Sequence, residues 1–159
     1  MKGIDLTAGR IAEANEKDLS EILKLQKKAF EMVAVKENNF DIQPLKQTYE
    51  EIVQEFAKRK FIKYVLNGAI VGSVRGHADE QNICYVGKLI VHPDFQNAGI
   101  GTALMKELER HFSTCSSFEI FTSQNSENTL SLYKKLGYTE RYVRKVDNVS
   151  IVFMKRENI

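Results

Sequence analysis

The sequence predicts a mixed α/β fold in which antiparallel hairpins flank a central strand–helix–strand crossover. Three observations carry this. Strand-like and helical periodicities alternate along the chain in the order strand, two helices, three strands, helix, strand, helix, two strands. Asn67-Gly68 and Asp147-Asn148 each separate two apolar runs, as tight hairpin turns do. The most apolar run, Ile83 to Val91, is bounded by Gln81-Asn82 and His92-Pro93 and reads as a central strand.

Gly9 to Ala14 forms the first short strand. Asn15 then caps a helix, with Asp18 at the third helical position in place of the stronger glutamate. Leu19, Ile22, Leu23, Leu25 and Phe30 give that helix its apolar face. Residues 37 to 44, with Asn38-Asn39 and Pro44, read as a loop. Tyr49, Ile52, Val53 and Phe56 mark a second amphipathic helix. Lys60 to Leu66 and Ala69 to Arg75 make a hairpin around Asn67-Gly68. After the central strand, Ile100, Leu104, Leu108 and Phe112 recur every four residues and predict a helix. Phe118 to Thr122 is a strand. Leu130, Tyr133 and Leu136 mark the last helix, which Gly137 ends. Arg141 to Val146 and Val149 to Met154 close the chain as a hairpin.

The 159 residues are enough for one domain, spanning 1–159, to bury a core without staples. No repeat, Pro-rich linker or low-complexity block divides it. With 23 basic against 21 acidic residues, the net charge of +2 argues against nucleic acid as a partner. Met1 to Asn15 carries Lys2, Asp5 and Arg10 and does not read as a signal peptide. No apolar run approaches the roughly 18 residues of a membrane span. A soluble, cytoplasmic protein is therefore expected, with no membrane partner. Cys84 and Cys115 lie in apolar stretches without metal spacing, so buried, reduced thiols and no metal are expected.

The chemistry-bearing segment runs from Leu89 to Leu104. A buried strand leads through a short loop into two glycines that open an amphipathic helix. The first turn of a helix has backbone N–H groups without partners and a positive dipole end. Glycine there lets an anion approach the backbone. A P-loop is excluded because Thr102-Ala103 replaces its Lys-Ser/Thr. A dinucleotide fingerprint is disfavoured because Leu104 stands where its third glycine belongs. Coenzyme A remains. Gln96-Asn97-Ala98-Gly99-Ile100-Gly101 fits Gln/Arg-x-x-Gly-x-Gly/Ala, and with the preceding strand and the His92-Pro93 turn it resembles the GNAT superfamily of N-acetyltransferases. The segment from Ser126 to Tyr138 resembles that family's late helix, with its Leu-Tyr-x-x-x-Gly-aromatic ending. The resemblance is recognisable from about residue 9 to the C-terminus and is strongest from Leu89 to Tyr138.

That resemblance implies a GNAT-like fold, a central mixed sheet of six or seven strands with helices on both faces. The strands at Ile83 to Val91 and Phe118 to Thr122 would be parallel and splay apart around a pantetheine arm. Leu89, Ile90 and Val91 would line the arm. Gln96, Asn97, Ala98, Gly99, Ile100, Gly101 and Thr102 would hold the pyrophosphate, mainly through backbone N–H groups. Ser126 replaces the asparagine with which many members contact the coenzyme, and Asn125 and Asn128 lie near it out of register. The implied activity is acetyl transfer from acetyl-CoA to a primary amine of a small molecule or peptide. The acyl donor need not be strictly acetyl-CoA. The alternative is a catalytically weak acetyl-CoA-binding sensor, and a homodimer is compatible with either.

By resemblance, Tyr133 is the candidate acid for the departing thiolate, and the N–H of Val91 would polarise the carbonyl. A phenol with a pKa near 10 keeps its proton at neutral pH. Spacing alone would make Tyr133 a core aromatic beside Leu130 and Leu136. No base stands out. Tyr85 occupies the strand position at which some members carry a glutamate, which leaves ordered water with weak acceptors such as His77 or Glu119. The acceptor site would be built from about Phe30 to Tyr49, where Glu31, Glu37 and Asp41 could attract a cationic amine.

Overall fold

The structure is a computed structural model and describes residues 5–158. The strands are β1 (Arg10–Glu13), β2 (Lys60–Leu66), β3 (Ala69–Ala78), β4 (Ile83–Val91), β5 (Ser117–Ser123), β6 (Thr139–Val146) and β7 (Val149–Glu157). The helices are α1 (Leu19–Glu37), α2 (Gln43–Lys46), α3 (Tyr49–Phe56), α4 (Ile100–His111) and α5 (Glu127–Lys135). One seven-stranded mixed sheet runs in the order β1-β2-β3-β4-β5-β7-β6, with β4 at its centre.

The strands β2, β3 and β4 bury both faces. Successive residues of a strand point to opposite sides, and neighbours on β2 divide accordingly. Phe61 packs with Leu19, Ile22 and Ile52 of α1 and α3, whereas Ile62 packs with Leu104, Leu108 and Tyr133 of α4 and α5. On β3, Gly72 and Gly76 make room for α4. A Cβ on Gly72 would stand 2.9 Å from Ile100 and Leu104, and one on Gly76 3.0 Å from Leu108. The helix can lie this close because its ridge side chains fill the missing methyl positions.

Several elements differ from the sequence expectation. Helix α1 runs to the start of the expected loop, ending at Glu37, with Val33 and the buried Ala34 extending its apolar stripe beyond Phe30. Its C-cap, Asn38, takes the left-handed conformation (φ 51°). The expected loop over 37 to 44 contains the start of α2, opened by Pro44 in its first turn. Asn15 caps a short 3-10 turn over Glu16–Asp18, and Asp18 completes the reciprocal box after all, accepting the Asn15 N–H at 2.9 Å. Both hairpin turns form as expected: Asn67 and Gly68 (φ 51° and 80°), and Asp147 and Asn148 (φ 52° and 62°), all have positive φ.

A buried polar cluster ties the first two layers together. Arg75 of β3 is fully buried and donates to Glu55 of α3 at 2.7 Å and to Gln26 of α1 at 2.6 Å. Its guanidinium lies 4.5 Å over the Phe61 ring. Gln26 donates in turn to the Pro44 carbonyl and to Gln47, both at 2.9 Å. The cluster thus anchors the 42–47 segment, which forms one wall of the site described next. Cys84 and Cys115 are buried free thiols, and burial pushes the Cys84 thiol up to about 12. No helix among the described residues is long and apolar enough to cross a membrane.

Candidate functional site

β4 and β5 are the only parallel neighbours among the described strands, and they pair only from Ile83 opposite Ser117 to Val86 opposite Ile120. Past that point β4 leaves β5. The cause is a bulge on its other edge: Ser73 opposes Ile90 and Arg75 opposes Gly87, so Val74 alone faces Lys88 and Leu89. Lys88 has φ 45°. A bulge bends its strand and increases the twist, and here it opens a gap toward β5. His92 donates to the Val71 carbonyl at 2.8 Å on the β3 side. Strand alternation then turns the Val91 N–H toward the gap.

A cavity of about 760 Å³ occupies this gap. Its floor is β4 from Lys88 to Val91. Its far wall is the end of β5 with α5, and one end is the N-terminus of α4. That N-terminus is built in steps. The His92 ring accepts the Asp94 N–H at 3.0 Å and folds Pro93–Phe95 into a 3-10 turn. Asn97 (φ 60°) and Gly99 (φ 90°) then reverse the chain. Gly99 is the N-cap and offers no side chain, and the first intrahelical bond runs from Ala103 N–H to the Gly99 carbonyl at 3.0 Å. The N–H groups of Ile100, Gly101 and Thr102 thus have no acceptor within the helix.

The two glycines serve different ends. Nothing lies within 4 Å of a Cβ placed on Gly99, so that side is open to a ligand. A Cβ on Gly101 would stand 3.0 Å from Leu132, with Leu89 and Val91 beyond. Gly101 therefore lets α5 close against α4 and β4, as well as leaving its N–H bare.

The structure gathers Leu89, Ile90, Val91, Gln96, Asn97, Gly99, Ile100, Gly101, Thr102, Ser126, Asn128 and Tyr133 around this one cavity. Ala98 is the exception and does not line it. Gln96 donates its amide to the Val91 carbonyl at 3.3 Å. Asn128 reaches the cavity, whereas Asn125 is turned away and donates to Glu37 at 2.9 Å. Tyr133 is 2% exposed, and burial alone raises its phenol above the usual range, so it keeps its proton throughout the physiological span.

His77, Tyr85 and Glu119 do not line the cavity, and neither do Asp79 and Glu80, the carboxylates that stand just before β4. Asp79 accepts the N–H groups of Gln81 and Ile83 and holds the β3–β4 turn. The Tyr85 ring stacks on His77 at 5.4 Å. The wall from α1 to α2 is also not acidic. Asp41 pairs with Lys46 at 2.9 Å, Glu37 accepts from Ser123 and Asn125, and Glu31 is exposed. What that stretch offers the cavity is Phe30, Val33, Ile42, Gln43 and Pro44. Three charged cavity residues, Lys88, Lys135 and Asp147, went unnoticed as site residues in the sequence; the signal for Lys88 was present, a lysine inside the most apolar run of the chain.

The profile of the acetyltransferase (GNAT) family matches residues 19–138. An acetyltransferase of Pectobacterium atrosepticum is 34% identical over 82 residues, covering 49% of this chain and 56% of that protein. The UPF0157 protein YqkA of Bacillus subtilis is 32% identical over 101 residues, covering 62% of this chain and 28% of that protein. The matches thus span about half of one curated relative and little more than a quarter of the other. Among solved structures, the PaiA N-acetyltransferase of Thermoplasma acidophilum in complex with coenzyme A superposes with a TM-score of 0.79 at 13% identity, covering 95% of this chain and 99% of that one. A phosphinothricin acetyltransferase of Sinorhizobium meliloti in complex with AcCoA superposes with a TM-score of 0.78 at 15% identity, covering 95% and 89%. These two likenesses are likenesses of fold.

Proposed function

The chain belongs to the acetyltransferase (GNAT) family, and on that premise we propose that it transfers an acetyl group from acetyl-CoA to a primary amine of a small molecule or peptide. The observation that carries the reading is the make-up of the cavity between β4 and β5. A bare helix N-terminus stands at one end, a strand edge that β5 leaves unpaired runs along the floor, and a protonated phenol is among the lining groups.

The residues present fit acetyl-CoA. The amides of Ile100, Gly101 and Thr102, with the open side of Gly99, suit a pyrophosphate. The edge of β4 from Leu89 to Val91 has backbone groups that β5 leaves without partners, suited to the amides of a pantetheine arm. The Val91 N–H, directed into the gap, polarises the thioester carbonyl as negative charge develops on its oxygen. The amine nitrogen attacks that carbon, and the carbon–sulfur bond breaks. The sulfur leaves as a thiolate and takes the Tyr133 proton, which the phenol later regains from solvent. The apolar wall of Phe30, Val33, Ile42 and Pro44 favours an acceptor with an apolar group beside its amine.

The test is release of free coenzyme A from acetyl-CoA in the presence of arylalkylamines, polyamines and short peptides with free N-termini. Amine-dependent release supports transfer. Tight acetyl-CoA binding without release for any amine would favour a sensor.

A further inference from the structure

Lys88 is the bulge residue of β4, and it lies on the cavity floor three residues before Val91. Gly87 and Lys88 both intervene between Val86 and Leu89, which share the α4 side of the sheet. The bulge therefore adds one residue, and that residue is the lysine. Among the described residues its ammonium meets charges but no hydrogen-bond partner. β3 contributes the fully buried Arg75, and α3 contributes Glu55, which Arg75 binds at 2.7 Å. Arg59, just beyond α3, reaches the same carboxylate at 3.4 Å, and Gln47 donates to it at 2.8 Å. α1 brings only the uncharged Gln26 to this cluster. Across the cavity stand Tyr133 and Lys135 of α5 and Asp147 of the exposed β6–β7 turn. Glu55 is thus already shared by two fixed cations, and a third positive charge at Lys88 is poorly compensated.

We infer that Lys88 accepts the proton that the acceptor amine sheds before it attacks. This rests on the acetyl-transfer reading above. The neutral Nζ of Lys88 takes a proton from the incoming ammonium, which gains the lone pair it needs. That lone pair forms the carbon–nitrogen bond, the carbon–sulfur bond breaks, and Tyr133 protonates the sulfur. The new amide nitrogen gives up its second proton to solvent, where Lys88 also discharges and Tyr133 is refilled. The net products are the amide, free coenzyme A and one proton. Burial, with Arg75 and Arg59 adding like charge, lowers the Lys88 amine to about 8, so roughly a tenth of it is neutral one unit below that value. The same cations discourage an ammonium at this end of the cavity and favour its neutral form.

The experiment measures kcat/KM against pH for coenzyme A release by the full chain with 2-phenylethylamine, spermidine and an alanyl tripeptide. The phenylethylamine and tripeptide amines differ in basicity by about two units. The expected rising limb is centred near pH 8 and stays there for every amine turned over. Lys88→Met loses that limb and falls by about a hundred-fold or more. Lys88→Arg, which stays charged, does not recover. Arg59→Gln removes a like charge and moves the limb to higher pH. Acetyl-CoA affinity by calorimetry stays within about two-fold in all three variants. A limb that follows each amine's own basicity and ignores Arg59→Gln overturns the inference, as does Lys88→Met or Lys88→Arg with the wild-type rate. Failure of the wild-type protein to turn over any of the three amines while binding acetyl-CoA counts instead against the transfer reading, and the inference falls with it.

Discussion

Replacing Lys88 by methionine should stabilise the protein at neutral pH, because the native fold bears the cost of a poorly compensated buried ammonium. The lysine amine is lowered from 10.5 to about 8 in the folded chain. At about 1.36 kcal/mol per unit, that is a cost of about 3 kcal/mol at most. The sign follows from proton binding. Below pH 8 both states hold the proton, and the folded state bears the full penalty. Between pH 8 and 10.5 the folded chain has released the proton while the unfolded chain still binds it. Stability therefore rises with pH across that window, and above it the penalty is gone. Methionine keeps most of the side-chain volume and does not titrate. Urea unfolding of both proteins at pH 7, 8, 9 and 10 should show Lys88→Met ahead by about 1–3 kcal/mol at pH 7, with the gap closing toward pH 10. Other titrating groups cancel in the difference. A gap of the opposite sign at pH 7, or one that does not change with pH, would refute the reasoning.

Tyr133→Phe keeps the ring packing and removes the hydroxyl, so kcat should fall by about a hundred-fold or more with acetyl-CoA affinity unchanged by calorimetry; a mutant with full turnover would return Tyr133 to a purely structural role. Arg75→Leu leaves Glu55 in the cluster without its 2.7 Å partner and should cost about 3–5 kcal/mol in urea unfolding at pH 7. Burial opposes ionisation of Glu55, but Arg75, Lys88, the Gln47 hydrogen bond and Arg59 together hold its carboxyl below the usual 4.5. Its contribution is present above pH 4.5 and lost as pH falls through the lower folded value, so Glu55→Gln should flatten the acid limb of the stability profile, and an unchanged limb would speak against that role.

The sequence showed most clearly what short-range chemistry decides. Asn67-Gly68 and Asp147-Asn148 adopt positive φ because few other residue pairs do so cheaply, and that is legible from two letters. The segment from Gln96 to Gly101 was legible because a bare helix N-terminus needs glycine at a fixed place. What escaped depends on partners distant in the chain. The burial of Arg75 requires Gln26 and Glu55, which come from two helices, and nothing around Arg75 on β3 announces them. The bulge at Lys88 exists only in the register of β4 against β3. Thr48 and Glu51 form a reciprocal capping box at the start of α3 that was readable and went unread. β6 is exposed at every position, so it shows no alternation that could fix its ends, and it begins at Thr139 instead of Arg141.

The central claim is that the bare N-terminus of α4 holds the pyrophosphate of acetyl-CoA, and the most direct measurement is calorimetric titration of acetyl-CoA into the wild-type protein and into Thr102→Glu. Thr102 is the third residue of α4 and lines the cavity. A glutamate there suits the helix itself, since acidic groups are favourable in a first turn. Gly101→Glu would be a poorer probe, because a Cβ at that position presses on Leu132. The account predicts one acetyl-CoA per wild-type chain and an affinity loss of at least ten-fold in Thr102→Glu, with the melting temperature held or raised. A wild-type chain that does not bind acetyl-CoA, or a Thr102→Glu chain that binds it as tightly as wild type, would contradict the account.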